Sequence, residues 1–481
     1  MNQLKKIFLL IVVLSYTNSF GQGIGSNGAI NAKNIALGGT NAVSARGVFA
    51  LGVNPANLVV KQDHKVELST VFPLPTLTAT IGNDFFTLND YNYFFTGVTN
   101  DNGQKVGRYL SESDKTKFLK LFDQGTLINT TVGTTILAFS LYPSKKLGAF
   151  GFSINDWTSV NLNFPKGIME LLLYGNKKGK VFNLNDLDMK TWYLRNYSLS
   201  YSKDLSKLFP DAFKFFSVGL TVKMVHGYFY SGVDYINTSI ETKDDYSIAI
   251  QGDSRMLLAA SPSFGIKYDF EEEDVEKEQK IGFFNEPAGT GFGADLGIYA
   301  EINKVWSFAI ALTDLGTINW NKGVVAYSSK GSYTIENITD EGLLDSLKES
   351  LKGEGAYADP FSTSLATAMK LGVGFKLDKL LKGKFPGQMM LEFNYHQGFN
   401  NMPGNTTKER FSLGMQWIPF KFFNLRSGVS IGGYDKFNWA IGVGLNTGII
   451  DFDFAASYFQ SLLDGNNAKR LGVAMSSRWK F

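Results

Sequence analysis

Three histidines, His64, His226 and His396, are the residues best placed to bind a metal or move a proton near neutral pH in this 481-residue chain. They lie far apart in sequence, and no two share the spacing of a metal-ligand pair. His226 and His396 fall in or at the ends of strand-like segments, where a polar position facing a lumen is the ordinary reading. The chain has no Cys, so thiolate metal sites and a disulfide framework are excluded. No G-x-S-x-G pattern stands at a strand–helix turn, which is what a nucleophile elbow requires. The glycine-rich GTGFGADLG stretch sits in a strand pattern with no helix after it, so it makes no phosphate cradle. The acidic run Glu271, Glu272, Glu273, Asp274 and Glu276 reads as a solvated loop. These residues specify no enzyme, no metal site and no cofactor.

What the chain does specify is a wall. In its last 46 residues, Trp439, Ile441, Val443 and Leu445 alternate with Ala440, Gly442 and Gly444. Leu471, Val473, Met475, Trp479 and Phe481 repeat the pattern to the final residue, with Ser477 as the polar exception. A period of two places each set on one face of a strand. The opposite face (Gly472, Ala474, Ser476, Arg478, Lys480) is small or polar and offers nothing to pack a soluble core. Apolar outside and polar or small inside, in strands of about ten residues, is the pattern of a transmembrane β-barrel. A soluble antiparallel sheet with one wet face shows the same alternation, but the recurrence along the chain favours the barrel.

Met1–Gly21 reads as a secretory signal: Lys5 and Lys6, then the apolar run Ile7–Leu14, then small residues before a cut at Gln22. That run is too short to span a bilayer as a helix, and no later apolar stretch is long enough either. The composition, 50 Gly, 40 Phe and 21 Tyr against 12 Pro, suits a barrel wall with aromatic girdles. A formal charge of +3 with no basic stripe gives no electrostatic case for nucleic acid.

The expected organisation is a signal over 1–21, a plug segment over 22–60 and the barrel over 61–481. Strands are expected at Val66–Ile81, Thr131–Tyr142, Leu147–Trp157, Tyr193–Tyr201, Ser217–Tyr228, Leu257–Phe270, Phe292–Ile302, Val305–Asp314, Phe361–Leu377, Gln388–Phe399, Phe411–Trp417, Asn424–Gly433, Phe437–Gly448, Ile450–Leu462 and Asn467–Phe481. The first is interrupted at Pro73 and Pro75, which cannot donate to a ladder and so mark a kink, bulge or edge. Tyr235–Gln251, polar on both faces, reads as a long hairpin outside the membrane. Asn89–Gly107 reads as an aromatic loop. Helices are expected at Ser111–Gln124, with Ser111 and Asp114 as a capping box, at Phe164–Asn176, and at Thr339–Leu351. Phe118, Leu119 and Phe122 share one face of the first, where they either pack their own loop or line an entrance. The count is 14 to 16 strands. An even number is expected when both chain ends lie on one side, and 14 is preferred.

ALGGTNAVSARG followed by LGVNPANL, with Gly38, Gly39, Asn54, Pro55, Ala56 and Leu58, resembles the N-terminal segment of the FadL/PorV superfamily of outer-membrane proteins. Asn57 stands where that family usually has Gly. The stretch from GFGADLG to DLGTINW, including Asp314, Leu315, Gly316, Ile318 and Trp320, resembles an uncharacterised branch found in Bacteroidota. The terminal Phe481, in alternation with Trp479, resembles the aromatic signal read by the barrel-assembly machinery. The resemblance implies a bacterial outer-membrane location, a hatch formed by residues 22–60, and 14 strands. Two functions follow from it as expectations. One is FadL-like movement of hydrophobic small molecules across the outer membrane, past the hatch and out through the kinked wall at Pro73 and Pro75. The other is a PorV-like role, holding a partner of a type IX secretion or gliding system. A deep apolar pocket leading to a hole in the wall would favour transport, and a filled lumen beneath a broad loop platform would favour the partner role.

Overall fold

Period-two alternation is realised as a closed antiparallel wall. The structure, a computed structural model, describes residues 30–60, 64–99, 101–175, 178–245, 247–271, 277–335, 353–381, 384–434 and 436–481. The signal over 1–21, the start of the plug segment, the helix expected at Thr339–Leu351 and most of the acidic run lie outside the described residues.

Numbered in chain order, the wall strands begin with β1, in two halves (Val66–Thr70 and Thr76–Asn83), β2 (Leu127–Ser144), β3 (Gly148–Asn163), β4 (Asp188–Asp204) and β5 (Phe215–Thr242). They continue with β6 (Gly289–Glu301), β7 (Trp306–Trp320), β8 (Ala368–Lys376), β9 (Gln388–Gly398) and β10 (Arg410–Phe420). The last four are β11 (Phe423–Gly432), β12 (Lys436–Asn446), β13 (Ile450–Ser457) and β14 (Arg470–Lys480). Each pairs with the next, and β14 pairs with both halves of β1, which closes the ring at 14 strands. The terminal residue takes part in the closure: Phe481 N donates to Val66 O at 2.9 Å, and Phe481 O accepts from Lys65 and Val66. Trp479 and Phe481 stack 6.4 Å apart.

The outward face carries Leu199, Leu220, Val222, Phe292, Ile298, Phe308, Ile310, Phe393, Leu413, Val443 and Val473, all exposed. The inward face buries Ser200, Thr221, Lys223, Asp295, Glu392, Asn394, His396, Arg410 and Ser476. Among the described residues no helix is long and apolar enough to cross a membrane. The surface suited to lipid is that of the strands. His226 departs from the lumen-facing reading: Val225 is the inward residue, and His226 lies on the other face beside the Tyr197 ring at 5.1 Å.

One end of the barrel has mostly short connections, such as 302–305 and 421–422, and the other carries long ones. There β5, at 28 residues, runs far past the roughly ten needed to cross a bilayer. Its upper half is flanked by Val181–Asn183 on one side and Ile248–Ala260 on the other. Val324–Ile335 and then Glu354–Tyr357 extend the same sheet outward. The hairpin expected at Tyr235–Gln251 is therefore part of a larger platform. Of the strand expected at Leu257–Phe270, Leu257–Ala260 end a platform strand and 261–270 form no strand, which removes the odd member from the expected series. The apolar residues that suggested a wall strand, Leu257 and Ala259, are buried under the platform's base instead.

Helix Leu88–Phe94 forms inside the segment read as an aromatic loop, with its own capping box from Thr87 and Asp90. It packs against helix Glu112–Leu121, capped as expected by Ser111 and Asp114. Phe118 and Phe122 are buried in an aromatic cluster with Phe85, Phe94 and Phe164; Phe94 meets Phe118 edge-on at 4.9 Å. Leu119 lies beside them, half-buried. The two helices are joined by Asp114, whose carboxylate accepts from the Tyr93 hydroxyl at 2.7 Å and from the Ser111 hydroxyl at 2.8 Å. These bonds, Tyr93 first, hold the Asp114 carboxyl down at about 2. Because the folded value lies below the ordinary one, the stabilisation is complete at neutral pH and is lost as pH falls from about 4 through about 2. Limited pepsin digestion of the intact protein should therefore leave the Phe85–Phe122 segment protected above pH 4 and cut it progressively below. Asp114→Asn should weaken that protection already at the upper end of the range.

Candidate functional site

Residues 30–60 lie inside the ring, against both sides of the wall. Helix Ala32–Ala36 packs on β11 to β14, and the turn Pro55–Val59 packs on β4, β5 and β6. Backbone buried in a lumen must find partners there, and this segment finds them on wall side chains. Asn394 Oδ1 accepts from Asn41 N and Ala42 N, each at 3.0 Å. The neighbouring inward residue, Glu392, accepts from Val43 N at 2.7 Å and Ser44 N at 3.0 Å. Four consecutive amides of the plug are thus held by two side chains of β9. Glu67 on β1 accepts from Val48 N at 2.8 Å, and Ser476 Oγ on β14 accepts from Ala32 N at 3.2 Å.

The Asn54-Pro55-Ala56-Asn57 motif is the second anchor. Asn54 is an N-cap: its side-chain oxygen accepts from Ala56 N at 3.0 Å, and its amide group donates to Ile298 O on β6 at 3.1 Å. Ala56 O accepts from Ser202 Oγ and Ser217 Oγ, at 3.0 and 2.9 Å. Asn57 donates to Ala42 O at 2.8 Å, a bond that a glycine there could not make. Leu58 is buried against Leu51, Ala138 and Ala149.

Close approach of the motif depends on two wall glycines that face each other across β5 and β6, Gly219 and Gly297. A Cβ at Gly297 would lie 2.9 Å from Pro55 Cδ and 3.0 Å from Ala56 N. On the other side, Gly38 and Gly39 take φ of +63° and +79°, a step open to glycine at little cost. There a Cβ on Gly428 of β11 would lie 2.5 Å from Gly38 N, and Arg410 donates to Gly38 O at 2.5 Å.

Above the plug the lumen is apolar on the side of β3 to β7, while Arg470, Asn438 and Ser430 keep the opposite side polar. Trp157, Trp192, Leu194, Val225, Ile318 and Trp320 of the wall meet Leu365, Ala366 and Met402 from the long connections and Ile30 from the plug. The expected strand Phe361–Leu377 is broken to allow this. Phe361–Ser364 and β8 both pair with β7, while Leu365–Thr367 turn inward. The break faces a bulge at Asp314, whose φ is +56°, and Leu365 N donates to Gly316 O at 2.9 Å. Lys223 bridges Asp295 and Asp314 at 2.6 Å each, tying β5, β6 and β7 beneath that bulge.

The wall itself is interrupted at Pro73 and Pro75. Residues 71–75 leave the ladder, with Val71 and Phe72 exposed outward. Behind them Ser69 and Thr76, with Asn31, Phe49 and Asn155, line a gap of about 10 Å³, room for about one water. Of the helix face expected at an entrance, Phe118 and Phe122 belong to the loop cluster already described, at the long-connection end, and Leu119 is half-buried outside it.

The expected hatch residues all lie in the plug but on opposite sides of it, Gly38 and Gly39 at β10 and β11 and Asn54–Ala56 at β4 to β6, while the gap behind the kink is lined by other plug residues, Asn31, Val48, Phe49 and Leu51. Glu392, Asn394, Glu67, Ser202, Ser217, Gly219, Gly297 and Gly428 were not singled out by sequence. The signal for the first two was present: an acidic residue and an amide on the inward positions of an otherwise apolar strand, LEFNYH. Among the described residues no cluster of His, Cys, Asp and Glu could hold a metal.

The sequence matches a family described as "Family of unknown function (DUF5723)" over residues 55–457. No curated protein matches it. Among solved structures, the chain is similar to the Pseudomonas putida toluene transporter TodX, at 11% identity and a TM-score of 0.46, over 97% of this chain and 100% of that one. It is similar to a Pseudomonas aeruginosa FadL homologue at 11% identity and a TM-score of 0.46, over 96% and 100%. It is also similar to the CymD monoaromatic hydrocarbon channel at 10% identity and a TM-score of 0.44, over 95% and 98%.

Proposed function

The chain belongs to the DUF5723 family, whose description assigns no activity, and from the geometry we propose that it is an outer-membrane barrel that moves hydrophobic small molecules past a latched plug. The observation that carries this reading is the division of the lumen. Below, the plug is held by polar bonds to the wall. Above, Trp157, Trp192, Ile318 and Trp320 form apolar walls. Among the described residues Leu365, Ala366 and Met402, all on connections from the long-loop end, join those walls in one buried cluster. Withdrawal of those connections would leave an apolar pocket open to that end. A channel for ions or sugars needs the opposite lining.

In this reading the long connections face outside and the short ones face the periplasm, the arrangement of outer-membrane barrels. The chain reaches the membrane through the cleaved leader, and Trp479 and Phe481 present the assembly signal. Ligand arriving above the plug would leave through the ladder gap at Pro73 and Pro75 once residues 30–60 shift.

A second reading, a PorV-like holder of a partner protein, is favoured by the platform built on β5 and by the filled lumen. One purification decides between them. The intact protein is taken from its native outer membrane in mild detergent, and whatever accompanies it is identified by mass spectrometry. A stoichiometric fatty acid, hydrocarbon or other apolar molecule is expected. A stoichiometric protein partner with no small molecule would replace transport by the holding role.

A further inference from the structure

At the short-connection end, beneath the plug, lies a vestibule of about 840 Å³. Its charged lining is unbalanced. Lys33 and Arg46 come from the plug, Lys421 and Arg426 from the β10–β11 turn and β11, and Arg478 and Lys480 from β14. Against five full cations and Lys33, whose ammonium is pushed down to about 7 by burial, the lining holds two carboxylates, Asp451 and Asp453.

The two acids are already engaged. Asp453 pairs with Arg426, while Asp451 takes Arg478 at 2.6 Å and Lys480 at 2.7 Å. Glu67, behind Arg478, is shared between that arginine, His64 and the Val48 amide. The hydrogen bonds of Lys33 and Arg46 go to neutral oxygens. Lys33 donates to Ser44 O at 2.7 Å, and Arg46 donates to Val43 O and Ala45 O at 2.5 and 2.6 Å. Among the described residues Lys33, Arg46 and Lys421 form no ion pair with a carboxylate. Carbonyl oxygens satisfy donors but do not cancel charge. A concave site with low-dielectric walls focuses such an excess and draws in an anion.

The uncharged lining completes the description of a ligand. Gln388, Gln416, Asn424 and Asn446 supply further donors, and Phe49, Ile418 and Phe422 supply apolar wall. We propose that this vestibule is an anion-binding site that takes a carboxylate or phosphate group, either as a free ion or as the head of a small amphiphile. The site stands whether or not the barrel transports anything, since it rests on the charge of the mouth alone.

Calorimetric titration of the full-length protein in zwitterionic detergent tests it, with inorganic phosphate and octanoate as probes at low and at moderate salt. At least one probe should bind and should weaken as salt rises. Lys421 lies exposed on a turn, so Lys421→Glu leaves the fold intact and should lower the affinity by roughly threefold or more. Lys207→Glu, on another turn at the same end but outside the lining, should leave it unchanged. Binding of phosphate identifies the free ion as sufficient, and binding of octanoate alone identifies an amphiphile. Absence of binding by both probes, or equal losses in the two variants, would overturn the site.

Discussion

Glu392→Ala should release the plug. The carboxylate is buried and receives the Val43 and Ser44 amides at 2.7 and 3.0 Å, with the Asn394 side chain bonded to it at 2.9 Å. Truncation leaves two buried N–H groups without an acceptor, at about 1–3 kcal/mol each. A loss of even about 2 kcal/mol from the seated state corresponds to roughly thirtyfold more time unseated. The chain has no cysteine, so a single Ser44→Cys reports on that state without interference. Labelling by a membrane-impermeant maleimide from the short-connection side should be slow in the Ser44→Cys protein and faster by roughly thirtyfold or more when Glu392→Ala is added. Glu392→Gln keeps one side-chain acceptor and should fall between. Equal labelling rates with and without Glu392 would show that the plug is held by other means.

The latch shows which kind of information a strand sequence carries. Alternation in LEFNYH announces that Glu392, Asn394 and His396 share one face, and a barrel makes that face the lumen. Nothing local announces that the lumen's occupant will be amides 41–44, some 350 residues earlier in the chain. The ring was legible for the same reason that the latch was not. Each wall strand pairs with a near neighbour of like pattern, and the capping boxes at Ser111 and the turns are local chemistry. The platform was only half legible. Tyr235–Gln251 is polar on both faces and so reads as a hairpin, but Val324–Ile335 pairs with the distant strand Ile248–Ala260 and shows no clean alternation. Leu257 is buried in the cluster that also holds Trp192 and Trp320, and burial by distant residues leaves the same local signature as a wall position. Phe361–Leu377 reads as one strand because its two halves do pair with the same partner, and only the bulge at Asp314 turns Leu365 inward. In the plug, Asn54, Pro55 and Ala56 were legible through the resemblance of their segment; that they lean on Gly219 and Gly297 was not.

That contact predicts the second large effect. Glycine weakens a strand interior, so two of them directly paired mark a place where another backbone comes close. A Cβ at Gly219 would lie 2.7 Å from Pro55 O and nearer still to Ala56 N. The obstacle is backbone, which cannot rotate aside as a long side chain can. It is also tied down, because Ala56 O holds two serine hydroxyls and Asn54 holds Ile298 O. Gly219→Val must therefore either displace the motif and lose those three bonds, at about 0.5–1.5 kcal/mol each, or force the β5–β6 wall outward. The outward route is overpacking, at about 1–3 kcal/mol, so either route costs roughly 1–5 kcal/mol. The expected result is a large fall in the temperature at which the folded band is lost on unheated gels, together with fast labelling at Ser44→Cys. Gly282→Val, on an exposed connection where a Cβ would meet nothing within 4 Å, should leave both unchanged. If Gly219→Val matched Gly282→Val in both measurements, the Asn-Pro-Ala turn would not be seated on the wall. The plug would then be held by its bonds to Glu392, Asn394, Glu67, Arg410 and Ser476.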